Sequence, residues 1–303
     1  MLKKTKYFNS VSPFASIVIN IFMILGVIAC VLPIILVISV SLTEGTTFTK
    51  YGYSFFPKRL SLDAYRYLFK DFSIVGNAYI ITIIVVVFGT ILNIMLTTLY
   101  AYPLSRRDLP MKKFFTAFIL ITMLFGGGLA PFYMIYVRVF HLRNTIWALI
   151  LPAVTNGFNI FIMKTYIQNN IPTEIFEACK IDGAGEFKIF CKMVLPLSTP
   201  VIATLAMFSA FGYWNDWFNS MLFIDNPKLY NLQYVMMKSL LQVQFIKDHV
   251  GGMAGIKDRV LLDTPSQTIN FAMVMASIGP IIFTYPFFQK YFVKGLIVGS
   301  VKG

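Results

Sequence analysis

Charge is what this 303-residue sequence has least of: 13% of its residues are Asp, Glu, Lys or Arg, against 57% hydrophobic ones. A soluble domain carries about 25% charged and about 45–50% apolar residues. So few polar side chains cannot coat a water-exposed fold of this length, whereas lipid accepts apolar side chains on the outside. A soluble globule is excluded and an all-α membrane protein is expected. Histidine is nearly missing too. His141 and His249 lie near no cysteine and no paired carboxylates, so no metal site is expected. The three cysteines, Cys30, Cys179 and Cys191, are odd in number and scattered, which excludes a disulfide framework. No Gly-x-x-x-x-Gly-Lys-Ser/Thr run occurs, so the chain has no visible means of cradling ATP phosphates. A membrane enzyme acting on lipid-linked sugars would need a carboxylate pair, a histidine base or a metal site, and no such constellation is present.

What is present is positive charge beside long apolar runs. Lys and Arg number 26 against 13 acids, a formal net charge of +13. The basic residues gather in short clusters (Lys3, Lys4 and Lys6; Arg106, Arg107, Lys112 and Lys113) and form no stripe interleaved with stacking aromatics, so nucleic acid is not an expected partner. Six segments approach the roughly 20 apolar residues a spanning helix needs: 16–42, 75–104, 114–136, 146–166, 198–224 and 269–291. The first is far longer than a signal peptide's apolar core and has no small-residue cleavage site after it, so it reads as a retained helix. Basic residues divide almost evenly between the two sides, but four crowd into the turn 105–113 while the rest are spread over the long loops 43–74 and 225–268. That density puts both termini in the cytoplasm. The chain then divides into an N-terminal helix with its outer loop (1–74), a core transmembrane domain (75–293) and a short cytoplasmic tail (294–303).

Under this topology the polar loop 167–197 faces the cytoplasm and reads as helix, glycine turn, helix. Thr173 caps the first helix, with Glu174 in its first turn, and Gly183 ends it; the second runs from about Glu186 and stops before Pro196. Within the loop, Glu177-Ala178-Cys179-Lys180-Ile181-Asp182-Gly183-Ala184 and the later Leu195-Pro196 place an acid and small side chains where a helix can seat closely in a cleft of another protein.

That run resembles the EAA loop of ABC importer permeases, with Cys179 where the family usually has a second alanine. The likeness extends through Ala101-Tyr102-Pro103-Leu104-Ser105-Arg106, Gly127-Gly128-Leu129-Ala130-Pro131, Leu149-Ile150-Leu151-Pro152, Trp214-Asn215-Asp216-Trp217 and the terminal Gly295 to Gly303. These are similar to the maltose-type carbohydrate permeases, and within them to a subgroup associated with complex oligosaccharides and polysaccharide fragments. The resemblance implies a type I importer in the bacterial cytoplasmic membrane. This multi-pass, non-catalytic chain would pair with a homologous second permease, two copies of a cytoplasmic ATPase that carries ATP and Mg, and an extracellular solute-binding protein. It implies that Glu177, Ala178, Cys179, Asp182, Gly183, Ala184 and Pro196 form the ATPase-coupling element, Glu177 pairing with an ATPase arginine, and that an oligosaccharide is the substrate. An importer of the same architecture for a non-sugar solute is the alternative.

The translocation pathway is less sharply marked. Asn156 and Asn159 share a face with Pro152 in the fourth span, and Asn77 and Asn93 lie in the second; each suits bonds between helices before it suits sugar hydroxyls. Trp214, Asn215, Asp216, Trp217 and Asn219 at the outer end of the fifth span suit sugar stacking or an interfacial aromatic belt, Asp216 being the most costly to bury. Gly251, Gly252, Met253 and Gly255 give the outer loop the flexibility to reach into a docked protein, which is what the resemblance implies, or to turn in solvent.

Overall fold

The computed structural model describes residues 12–69, 72–250 and 268–282. Among them there is no strand, only an isolated antiparallel bridge between Thr43 and Leu60. The chain divides into two compact units, one from residues 1–70 and 246–276, the other from 71–245 and 277–303.

In the first unit, helix α1 (Pro13–Ser41) begins at a Ser-Pro step: the Ser12 hydroxyl accepts from the Ala15 amide at 3.3 Å and Pro13 takes the first helical position, where no amide is needed. At 29 residues it extends about 44 Å, more than a hydrocarbon core requires. Its apolar side chains are exposed nearly all round, which is the surface of a helix that meets lipid or another membrane chain. Only its last turn is buried, where Ser39 donates to the Ser54 carbonyl at 2.8 Å and Thr43 donates back to the Ser39 carbonyl at 2.7 Å. Short helices α2 (Gly45–Tyr51) and α3 (Asp63–Leu68) follow. Phe48, Tyr53 and Phe271 meet edge-on or tilted with ring centres 5.2 to 6.5 Å apart.

The second unit is organised by α4 (Phe72–Ser105), about 50 Å long. Chain order continues with α5 (Lys112–Leu124), α6 (Leu129–Val139), α7 (Trp147–Ala153), α8 (Gly157–Asn170), α9 (Thr173–Ile181), α10 (Glu186–Leu197), α11 (Thr199–Trp214), α12 (Phe218–Phe223) and α13 (Leu232–Val250). A last described helix, α14, covers Thr268–Ile282. α4 packs along α8 and α11. Close approach to α11 depends on Gly89, where a Cβ would stand 2.6 Å from the Tyr213 ring; the Tyr213 hydroxyl then donates to the Ile150 carbonyl at 2.9 Å. Two apolar clusters sit at opposite ends of α4. One joins Ile81 and Val85 to Leu149, Ile150, Tyr213 and Phe223; the other joins Ala101 and Leu104 to Met163, Ile167, Phe176, Ile189 and Val194.

Two described helices, α1 and the Ile74–Ser105 part of α4, are long and apolar enough to cross a membrane unaided. Two further expected spans are bent pairs, α5 with α6 at 111° and α7 with α8 at 53°; α11, in the fifth expected span, is itself bent 79° from α10 of the preceding loop. The first bend follows from Gly126-Gly127-Gly128, the last of them at φ +83°, a conformation that favours glycine. The segment 114–136 is therefore a broken element, not the straight helix its hydropathy suggests. The fifth expected span divides likewise, since α11 ends at Trp214 before α12 begins.

Candidate functional site

The loop between α8 and α10 has the expected helix, turn, helix form, with two corrections. Thr173 is the first helical residue and no cap: Pro172 occupies the capping position and no side chain bonds there, because the proline ring has no polar atom to accept an amide. The second helix does not stop before Pro196. It passes through a π-helical stretch at Phe190–Val194 and continues to Leu197, with Pro196 tolerated at the start of the next helical turn, where its missing amide is not required.

α9 ends in a Schellman arrangement. The Ala184 amide donates to the Cys179 carbonyl at 2.9 Å and the Gly183 amide to the Lys180 carbonyl at 3.0 Å, with Gly183 at φ +72°. This makes the small residues intelligible. Cys179 and Ala184 are half-buried and pack on the apolar cluster beneath, to which α9 contributes the buried Phe176. The opposite face is open. Glu177, Ala178 and Ile181, at helical spacing, are exposed, as are Asp182 and Gly183, and nothing stands within 4 Å of where a Gly183 Cβ would be. Ile181 is 86% exposed and Phe187, just beyond the turn, 75%. Two large apolar side chains thus stand free around an acid on a polar loop, the kind of exposed apolar surface that a protein or membrane partner covers.

A polar network ties this loop to the turn after α4. Arg106 makes a two-pronged bond to Asp108 (Nε–Oδ1 3.1 Å, guanidinium N–Oδ2 3.0 Å), and its guanidinium lies 4.6 Å over the Phe176 ring. Lys180 Nζ stands 3.2 Å from Asp108 Oδ2 and 3.2 Å from Glu186 Oε1, while the Tyr102 hydroxyl donates to Glu186. The Arg106 and Lys180 bonds hold the Asp108 carboxyl down at about 2, and the Tyr102 bond holds Glu186 below the ordinary carboxylate range. Read as sequence, Arg106 is one of a positive cluster beside a membrane; Asp108, two residues on and 72 before Lys180, carries no linear signal of this pairing.

The pathway candidates are distributed differently. Asn93 is 2% exposed and fully engaged: its amide donates to the Ala153 and Val154 carbonyls at 3.2 and 3.0 Å and its oxygen accepts from Ser209 at 2.7 Å. It bridges α4, α7 and α11. Asn156 and Asn159 do not share a helix face, because Asn156 lies outside α8 as its N-cap, its oxygen accepting from the Phe158 and Asn159 amides at 2.9 and 3.3 Å. Asn159 is buried on the first turn of α8, and Asn77 donates to the Lys228 carbonyl.

At the far end of α11, Trp214 is buried and its indole donates to the Ser277 carbonyl at 3.0 Å, so its ring offers no face to a sugar. Asn215 is exposed and bonds back to Phe211 at 2.9 Å, and Trp217 packs edge-on against Phe218. Asp216 accepts from the Asn219 amide at 3.1 Å and from its side chain at 2.8 Å, capping α12, and Asn231 donates to the Asp216 carbonyl. Sequence reasoning missed Asn144, which holds this end together. At φ +58°, a region asparagine tolerates, it accepts from the Asp225 and Asn226 amides at 2.6 and 3.1 Å and donates to Asp225 at 3.2 Å, beside the Arg143–Asp225 ion pair at 2.9 Å. Gly251, Gly252, Met253 and Gly255 lie outside the described residues.

Compared with known proteins, residues 101–298 match the family described as binding-protein-dependent transport system inner membrane component. The chain is 37% identical to the polygalacturonan/rhamnogalacturonan transport system permease protein YtcP of Bacillus subtilis, over 93% of this chain and 96% of that one. It is 37% identical to protein LplC of the same organism, over 94% of each. Among solved structures, a chain from a bacterial ABC transporter involved in the import of the acidic polysaccharide alginate superimposes with a TM-score of 0.79 at 26% identity, over 95% of this chain and 100% of that one.

Proposed function

The chain belongs to the family of inner membrane components of binding-protein-dependent transport systems, and from that premise we propose that it forms half of the translocation pathway of an ATP-driven oligosaccharide importer. As an ABC permease it is a membrane-embedded, non-catalytic subunit, and ATP is hydrolysed by a separate chain. A homologous second permease, two copies of a cytoplasmic ATPase and an extracellular solute-binding protein complete the assembly. Six spans with both termini in the cytoplasm are supported by the two long helices, the bent pairs α5/α6 and α7/α8, α11, and α14.

The observation that carries the reading is the exposed face of α9, with Glu177, Ala178 and Ile181 presented outward on a helix whose other face is locked into the bundle. In the proposed cycle, closure of the ATPase dimer draws this loop and its counterpart on the second permease together. That rigid displacement tilts the membrane helices and opens the cavity to the docked binding protein. The named relatives make fragments of acidic polysaccharides the first substrates to try. Uptake of labelled oligogalacturonides by cells carrying the full importer tests the substrate class: accumulation that unlabelled oligogalacturonide suppresses and neutral oligosaccharide does not is expected, and suppression only by a non-sugar solute overturns it.

A further inference from the structure

Force applied to the exposed face of α9 reaches the membrane helices only through whatever joins α9 to them. The apolar cluster under Phe176 holds the loop down, but the hydrophobic effect that forms it is non-directional. Directional links are few: the Tyr102 hydroxyl ties α4 to Glu186 on α10, and one ammonium group ties α9 to both sides of that bond. Lys180 reaches Asp108 in the turn after α4 and Glu186 at the start of α10, both at 3.2 Å, so a single side chain links both helices of the loop to the cytoplasmic end of the longest helix in the unit. Both acids are themselves fixed, Asp108 by the planar Arg106 fork and Glu186 by the Tyr102 hydroxyl, so the lysine is held between rigid partners. Lys180 is 45% exposed, and ion pairs this open add little to stability.

We propose that Lys180 is a positioning residue for coupling: by clamping α9 to Asp108 and Glu186 it delivers the displacement of the loop to α4. The proposal rests on the reading of the chain as an importer permease. In that reading α9 touches the ATPase through Glu177, Ala178 and Ile181, and Lys180 acts through Asp108 and Glu186 without being required for docking.

The test uses the complete importer, with its second permease, ATPase and binding protein, reconstituted in vesicles, reading sugar accumulated and ATP hydrolysed on the same sample. Lys180→Ala is expected to keep the ATPase bound and hydrolysing while sugar moved per ATP falls about tenfold, as loss of coupling between two sites requires. Glu186→Gln, which keeps the Tyr102 bond and loses the charge, should fall in the same direction, and Lys180→Arg should restore most of the ratio. An unchanged ratio in both Lys180→Ala and Glu186→Gln overturns the clamp, as does loss of the ATPase from Lys180→Ala, which would make the lysine a docking residue. A wild-type complex that carries no ATPase would instead overturn the importer reading itself.

Discussion

The two ends of α4 hold the same kinds of side chain in opposite circumstances. At the Ile81 end, polar residues that suit sugar binding are occupied within the chain: Asp216 by Asn219, Trp214 by Ser277, and Asn215 by Phe211. At the Ala101 end, the polar residues divide into a bonded inner set around Asp108 and an outward set, Glu177 with Ala178 and Ile181 beside it, that presents acid and apolar surface together. Chemistry that looks functional in a sequence becomes structural once it is satisfied internally, and functional once it is left facing out. In a membrane protein this distinction is sharp, because a buried polar group without a partner is costly.

The largest effect should come from reversing the charge on the open face. Glu177→Arg is expected to leave permease abundance unchanged and to reduce uptake by about a hundredfold or more, since it would set like charge against the ATPase arginine that the family resemblance pairs with Glu177, and quantitative uptake with an immunoblot of the membranes checks both halves. Next is Asn93→Leu, which takes the side-chain partner from the Ala153 and Val154 carbonyls and from the buried Ser209 hydroxyl and should cost about 1–3 kcal/mol. A detergent melting series should show the loss of stability, with uptake per folded molecule preserved; a fall in uptake without loss of stability would move Asn93 into the pathway. Gly183→Ala should cost about 1–2 kcal/mol locally by forcing a Cβ into the left-handed region, in open space, and hydrogen exchange at the Ala184 amide would report it.

The smallest effect expected is that of pH on the clamp. The Asp108 carboxyl sits at about 2 against an ordinary 3.8, so the stability it contributes is fully present above its unfolded value and is lost only as pH falls through about 2. Sugar moved per ATP should therefore not change between about pH 6 and 8 through this group, which titration of the reconstituted importer would check.

The loop was the most legible part of the chain because its signals are local: Gly183 and Ala184 close α9 within six residues of Cys179, and the small side chains follow from that geometry. Long apolar runs likewise announce α1 and α4. Less legible were the bends, since hydropathy counts apolar residues without regard to backbone direction; Gly128 at φ +83° turns the chain inside one continuous apolar run. Asn156 was misread because a helix cap and a helix face look identical until the first helical residue is known. The Lys180 and Asn144 networks were invisible, as their partners lie 72 and 81 residues away and nothing in a single sequence marks such pairs.

The central claim is that the α9 face is open to an ATPase while the polar residues beyond α11 serve the fold. It is tested most directly by copurifying the ATPase with two variants, Glu177→Arg and Asp216→Ala, from membranes matched for permease abundance. The account predicts that the first loses the ATPase and the second retains it; an ATPase retained by Glu177→Arg and lost by Asp216→Ala would contradict it.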